Sequence, residues 1–151
     1  MTRINTIDVT LLPDQHLMAE YRELPMVHGS LKRTLISANG YQVSRVSPIY
    51  TLNAGHVYFW YNKKKFLFDR FNQLVNELIF RNYQINPSER IINWNVFDSV
   101  PQIDWTPTTS DCDINLERIV ERIKLKPKFY RWTNRTRPLS IGKHIIAQEC
   151  K

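Results

Sequence analysis

Met1 is followed by Thr2. A small second residue permits removal of the initiator methionine, and the α-amine so exposed has a reference pKa of ~7.7 to 8.0, well below that of a lysine. Such an amine is a usable nucleophile at neutral pH. Cationic neighbours such as Arg3 and Arg22 favour its unprotonated form by disfavouring one more positive charge. Met-Thr is a common beginning, so Thr2 as an ordinary terminus stands beside Thr2 as nucleophile. A carboxylate is the natural companion of such an amine. His16, Glu20 and Glu23 fall at i, i+4 and i+7, with Arg22 beside them, which places all three on one helical side. A carboxylate near the amine can polarise a leaving group, stabilise cationic character at carbon and take a proton in an elimination. The competing reading is a solvated helix face on which Glu20 or Glu23 pairs with basic neighbours.

A third group lies near the other end. In residues 126–132, KPKFYRW, aromatic and basic side chains interleave directly after Arg118 and Arg122. Aromatic faces stack on bases or wedge into a distorted duplex while guanidinium and ammonium groups hold phosphates. Equally, Phe129 and Trp132 can be core aromatics that fix this end of the chain. Charge is distributed in the same sense. The net charge is +7, yet nine of the 21 basic residues and only one of the 14 acids lie in residues 122–151. A nearly neutral body with a basic C-terminal section points to a polyanionic partner.

The elements that must position these groups are helical. Leu17, Met18, Tyr21 and Leu24 mark a first helix over residues 14–24, with Pro13-Asp14 as its stop and N-cap and the polar groups facing away from the core. Pro25 ends or kinks it, and Leu31, Leu35 and Ile36 let it resume until Asn39-Gly40. Residues 41–61 are rich in aromatic and β-branched side chains, but Pro48 and Ala54-Gly55 break any strand pattern, so this stretch is read as mostly irregular. Over residues 63–82 the set Leu67, Phe71, Leu74, Val75, Leu78 and Ile79 predicts a second helix with a wide buried stripe. Residues 83–109 are interrupted by three prolines and read as an ordered loop anchored by Trp94, Phe97 and Trp105. Ser110-Asp111 opens a third helix with Leu116, Ile119, Val120 and Ile123 inward, ending before Pro127. The expected fold is all-α: one compact domain of three main helices with long ordered loops.

The 151 residues suffice for one core and are few for two. Cys112 and Cys150 are far apart and form no CxxC, so neither a disulfide framework nor a zinc site follows. No apolar run reaches membrane-spanning length and no secretory h-region opens the chain, so a soluble, intracellular protein is expected.

Residues 1–29, MTRIN…DQHLMAEYRELP.V.G, resemble the bacteriophage endonuclease V family of pyrimidine-dimer DNA glycosylases with abasic-site lyase activity. The resemblance continues at Ser47-Pro48, at Ala54-Gly55-His56-Val57 with Phe59 and Tyr61, and through Lys63 and Phe66-Leu67. It returns at Arg118, Arg122 and the run from Lys126-Pro127 to Trp132. It implies a glycosylase-like domain over residues 1–133 and gives no guidance for residues 134–151, whose basic composition and scant apolar periodicity read as a tail of uncertain order. It implies that Thr2 is the nucleophile, attacking the sugar carbon of the 5′ base of a cyclobutane dimer to give an imine, and that Glu23 serves both this step and the following β-elimination. Arg3, Arg22, Arg118 and Arg122 would hold phosphates, and His16 would line the DNA side. Lys126, Phe129, Tyr130, Arg131 and Trp132 would form the recognition run. No metal or cofactor is implied; the expected partner is duplex DNA carrying pyrimidine dimers or abasic sites, bound by a monomer. Met26 replaces an arginine of the family, Phe129 a tryptophan and Trp132 a tyrosine, so dimer preference is less secure than lyase chemistry. Two alternatives remain: an abasic-site lyase of altered lesion range, and a basic DNA-binding protein without catalysis.

Overall fold

A computed structural model describes residues 3–139 and 141. Among these there are five α-helices and no strand: α1 (Asp14–Glu23), α2 (Met26–Ile36), α3 (His56–Phe59), α4 (Lys64–Phe80) and α5 (Thr109–Leu125). The expected all-α class is what is found.

Pro25 separates α1 from α2. Having no N–H, it cannot continue the ladder of α1, and the chain restarts at Met26. Leu17, Tyr21 and Leu24 pack with Val27 and Leu31 of α2, with Leu67, Leu74 and Leu78 of α4 and with Ile119, Val120 and Ile123 of α5, as one core. Fully burying each such side chain contributes about 1.5–3 kcal/mol. The inward side of α4 is narrower than its apolar pattern predicts: Ile79 is exposed, while Arg70 and Glu77 are buried. Those two polar residues find partners on other elements, which periodicity does not register.

Three local expectations are corrected. Pro13, not Asp14, is the N-cap of α1, and Asp14 turns inward to pair with Arg81 at 2.9 Å. α5 opens at Thr109, one residue before the expected Ser110, with Thr108 as its cap; the Thr108 hydroxyl accepts from the Asp111 amide while the Asp111 carboxylate accepts from the Thr108 amide. Residues 41–61 are less irregular than expected, because α3 and a 3-10 turn at Trp60–Asn62 follow Gly55, whose φ of 89° suits glycine. Phe59 and Trp60 from this stretch are buried beside Trp105 of the later loop, ring centroids 5.3 and 5.4 Å from it, and the buried Tyr50 packs edge-on against both. The loop is thus pinned by aromatics as expected, Phe97 being buried as well.

Of the expected tail, Arg135 pairs with Glu77 at 2.9 Å and Ile141 is buried; Cys150 and the other residues beyond Ile141 lie outside the described residues. Among the described residues no helix is long and apolar enough to cross a membrane.

Candidate active site

Residues 3–7 run between α1 and α5, and a cleft of about 300 Å³ opens beside them. From α1 it is lined by Gln15, His16, Ala19, Glu20 and Glu23, and from α5 by Arg118, Ile119 and Arg122. Both sets follow helical spacing, so each helix gives one continuous side to the cleft. Arg3 closes one end, and Phe129 and Tyr130 form part of the rim.

Glu23 occupies the last turn of α1, where the helix dipole disfavours an anion. That cost is offset locally, since its Oε2 accepts the Arg3 amide at 3.0 Å and the cations of Arg3, Arg118 and Arg122 share the cleft. Among the described residues the Glu23 carboxylate has no further hydrogen-bond partner and no ion pair. Glu20 differs. It is fully buried, and its two oxygens accept from the Asn5 amide, Asn5 Nδ2, Arg70 Nε and Arg70 Nη2 at 2.8–3.2 Å. The expectation that His16, Glu20 and Glu23 all face away from the core therefore fails at Glu20. Its partner Arg70 is 50 residues distant in sequence, on α4.

The cations are correspondingly unspent. Arg3 Nη1 is buried without an acceptor, and the guanidiniums of Arg118 and Arg122 have none among the described residues. Burial and the neighbouring charges of Arg3 and Arg122 hold the Arg118 pKa below its ordinary value. Burial, with Arg118 and Arg122 adding to it, pulls His16 down to about 4, so its imidazole is neutral at physiological pH. The ring lies against Tyr130, centroids 5.3 Å apart. Three guanidiniums without acceptors among the described residues, around a half-buried cleft, match what a phosphate backbone requires, with aromatic edges at the rim.

Not every expected site residue lies here. Arg22 and Arg131 line a neighbouring groove that shares Gln15 and Ala19 of α1 with the cleft; Arg131 is exposed, 3.5 Å from Asp14. Lys126, exposed just after α5, has its ammonium 5.7 Å from the Phe129 ring, and Phe129 itself is 55% exposed. Trp132 is half-buried and donates from Nε1 to the Leu11 carbonyl at 2.9 Å, an anchoring contact. The run thus serves both readings by turns: Phe129 and Tyr130 face the cleft, Trp132 holds the chain to the body. Gln15 joins the two roles, since its amide donates to the Phe129 carbonyl at 2.8 Å. Thr2 lies outside the described residues.

Sequence reasoning gave no site role to Asn5, Gln15, His56, Arg70 or Asn115. For Asn115 a signal existed, since it stands three and seven residues before Arg118 and Arg122 and so shares their side of α5. Among the described residues no group of three or more His, Cys, Asp and Glu side chains is placed to hold a metal ion.

Compared with known protein families, the chain matches the pyrimidine dimer DNA glycosylases over residues 1–90. That span contains Arg3, His16, Glu20, Glu23, His56 and Arg70, and so the N-terminal and α1 sides of the cleft; the α5 side lies beyond it. Since the match takes in well over half of the sequence, the chain belongs to the pyrimidine dimer DNA glycosylase family, whose members act in the repair of damaged DNA.

Proposed function

We propose that this protein cleaves the 5′ glycosidic bond of cyclobutane pyrimidine dimers in duplex DNA through an imine with the α-amine of Thr2, and then nicks the strand as an abasic-site lyase. The observation that carries the reading is the Glu23–Arg3 amide contact at 3.0 Å within a cleft lined by Arg3, Arg118 and Arg122. Only the Cα and carbonyl carbon of Thr2 separate its α-amine from that amide nitrogen, so a carboxylate there is within reach of an amine and of the carbon it attacks.

In the first step the amine lone pair forms a bond to the sugar C1′, the glycosidic C–N bond breaks with its electrons, and the base, detached from its sugar but still joined to its 3′ neighbour through the cyclobutane ring, takes up a proton. Opening of the sugar ring then gives the imine. Glu23, with few protein partners among the described residues, stabilises the cationic carbon. In the second step a base removes a C2′ proton, the C3′–O bond breaks, and the 3′ phosphate departs; Glu23 is the carboxylate available for that proton. Water releases the amine. The three guanidiniums hold phosphates and disfavour protonation of the amine. Neutral His16 lines the DNA side beside Tyr130. Glycosylases must open the base stack to reach their target, and a dimer that already weakens stacking lowers that cost.

The proposal extends to a monomer that works inside the cell without metal or small-molecule cofactor. It also extends to a catalytic unit ending near residue 133, with Lys126, Arg131 and Arg22 as outer contacts to the duplex. A second reading keeps the lyase with an altered lesion range; the exposed Phe129 at the rim and the exposed Met26, both departures from the family pattern, favour it. Borohydride, which reduces an imine to a permanent bond, separates the cases. A covalent protein–DNA band on a duplex with one cis-syn thymine dimer, mapped to Thr2, is the expected result. A band on an abasic duplex alone withdraws the dimer specificity, and no band on either refutes the imine mechanism.

A further inference from the structure

Residues 3–7 belong to no helix or strand, yet each of their five consecutive backbone amides donates to a side chain. The Arg3 amide goes to Glu23, and that of Ile4 to His56 Nε2 at 2.9 Å. The Asn5 amide goes to Glu20 at 3.2 Å, and those of Thr6 and Ile7 both go to Asn115 Oδ1, at 2.8 and 3.2 Å. Buried amides must be satisfied, and a sheet or helix ordinarily does so with backbone, where any side chain will serve. Here acceptors from α1, α3 and α5 are each matched to one or two amides, so a slip of one residue breaks the whole series. The carbonyl of Ile4 is held as well, by the Tyr50 hydroxyl at 2.8 Å.

Two of these acceptors, His56 and Asn115, lie outside the cleft, and His56 Nε2 is shared between the Ile4 amide and a longer contact from Trp60 Nε1 at 3.4 Å. His56 is buried, with Nδ1 2.6 Å from the Thr51 carbonyl; that contact requires the proton on Nδ1 and leaves Nε2 free to accept from Ile4. Asn115 is fully buried, one turn before the buried Ile119 of the same helix. It uses both halves of its amide, Nδ2 donating to Asn5 Oδ1 at 2.7 Å.

We infer that His56 and Asn115 are positioning residues for the reaction: by gripping the amides of Ile4, Thr6 and Ile7 they fix where the chain enters the cleft, and with it the place of the amine. This rests on the reading of Thr2 as nucleophile. A terminal segment without such a grip frays, and a displacement of about 1 Å at a reacting atom costs about a hundredfold in rate.

The test is single-turnover borohydride trapping by the full chain on saturating abasic duplex, at a temperature well below each variant's Tm, with duplex Kd measured alongside. His56→Ala and Asn115→Leu are expected to trap about 10- to 100-fold more slowly at saturation with Kd within about threefold of the parent protein. His56→Gln, whose amide can both accept from Ile4 and donate to Thr51, is expected to recover most of the rate. Hydrogen exchange of the Ile4 and Thr6 amides should quicken in the slow variants while α4 keeps its protection. If His56→Ala or Asn115→Leu does not fold, the pair His56→Gln and His56→Asn decides, the shorter amide being the slow one. Trapping at the parental rate by the folded variants overturns the inference alone. Failure of the parent protein to trap on either duplex overturns the amine mechanism, and the inference with it.

Discussion

Two regions of this molecule are built from the same materials and differ in how completely they use them. Around Arg81, which is wholly buried, the guanidinium contacts Glu77 and Asp14 at 2.9 Å and the carbonyls of Leu12 and Thr10 at 2.7 and 3.2 Å. The carboxylates are filled from their other sides, Asp14 by Tyr83 and Thr133 and Glu77 by Arg135. In the cleft, Glu23 accepts one amide, and Arg3, Arg118 and Arg122 have no protein acceptors among the described residues. The saturated set ties together α1, α4 and the segment after Trp132. The unsaturated set keeps charge in reserve for something else. Buried arginine and carboxylate are therefore not by themselves the mark of a site; unused valence is.

The strongest way to break that contrast is to neutralise one carboxylate in the cleft. Glu23→Gln should reduce strand cleavage on the order of a thousandfold, as expected for loss of a general base that also stabilises charge. Duplex binding should stay largely intact and Tm should hardly move, because a half-buried glutamine can still accept the Arg3 amide. Cleavage at the parental rate would return Glu23 to the status of a structural acceptor like Glu20.

The saturated region should behave the opposite way. Arg81→Met leaves Asp14 and Glu77 buried with a major partner gone, and removing one member of such a network costs about 3–5 kcal/mol. Urea unfolding should report that loss, while the folded fraction still traps abasic DNA at the parental rate. A variant that is stable but inactive would show that the two regions are not separable.

How much of this was legible beforehand follows the same division. Leu67, Leu74 and Leu78 announce α4 by their spacing, and residues 126–132 announce a surface by their composition. Glu20 and Glu23 cannot be told apart on a helical wheel, because what distinguishes them is Arg70, brought from α4 by the packing of that helix on α1. Asp14 reads as a cap for the same reason: its partner Arg81 is 67 residues away. The chemistry of the N-terminus came from resemblance, since Met-Thr carries no pattern of its own. Local signals reveal which groups exist; only the tertiary pairing reveals which are already occupied.

Acid should separate the two regions by pH. His56 is lowered to about 4 by burial, the Thr51 carbonyl opposing and Arg3 and Arg118 adding, and His16 is lowered to a similar value. An unfolded histidine titrates near 6.5, so between about 6.5 and 4 the unfolded chain binds more protons and stability falls as the pH falls, by up to about 1.4 kcal/mol per pH unit for each ring. For Asp14 burial acts upward, but hydrogen bonds from Thr133, Arg81 and Tyr83 prevail. Glu77 is likewise held low against burial, by Arg135 and Arg81. Stability supplied by these lowered carboxylates is present above their unfolded values of 3.8 and 4.5 and is lost only as the pH falls through their lower folded values. Denaturant titrations at stepped pH should therefore show a slope between about pH 6.5 and 4 that His16→Gln reduces, and a further loss below about pH 4 that His16→Gln leaves alone. An unchanged slope in the variant would mean that His16 is not held neutral.

The smallest expected effect bears on whether the unspent cations are a phosphate surface at all. Met26 opens α2 and is 58% exposed, at a position where the family resemblance places an arginine. If the cleft side binds backbone phosphates, Met26→Arg adds one such contact, and the slope of log K against log salt should steepen by about 0.9. An exposed substitution of this kind should shift stability by no more than about 0.5 kcal/mol. Anisotropy titrations of an undamaged duplex over a range of salt, for the parent protein and the variant, measure the slope without any chemistry. A steeper slope places the duplex across the start of α2 as well as across α1 and α5. An unchanged slope confines the phosphate contacts to the cleft and its immediate rim, and makes the exposed methionine a boundary of the footprint rather than a gap within it.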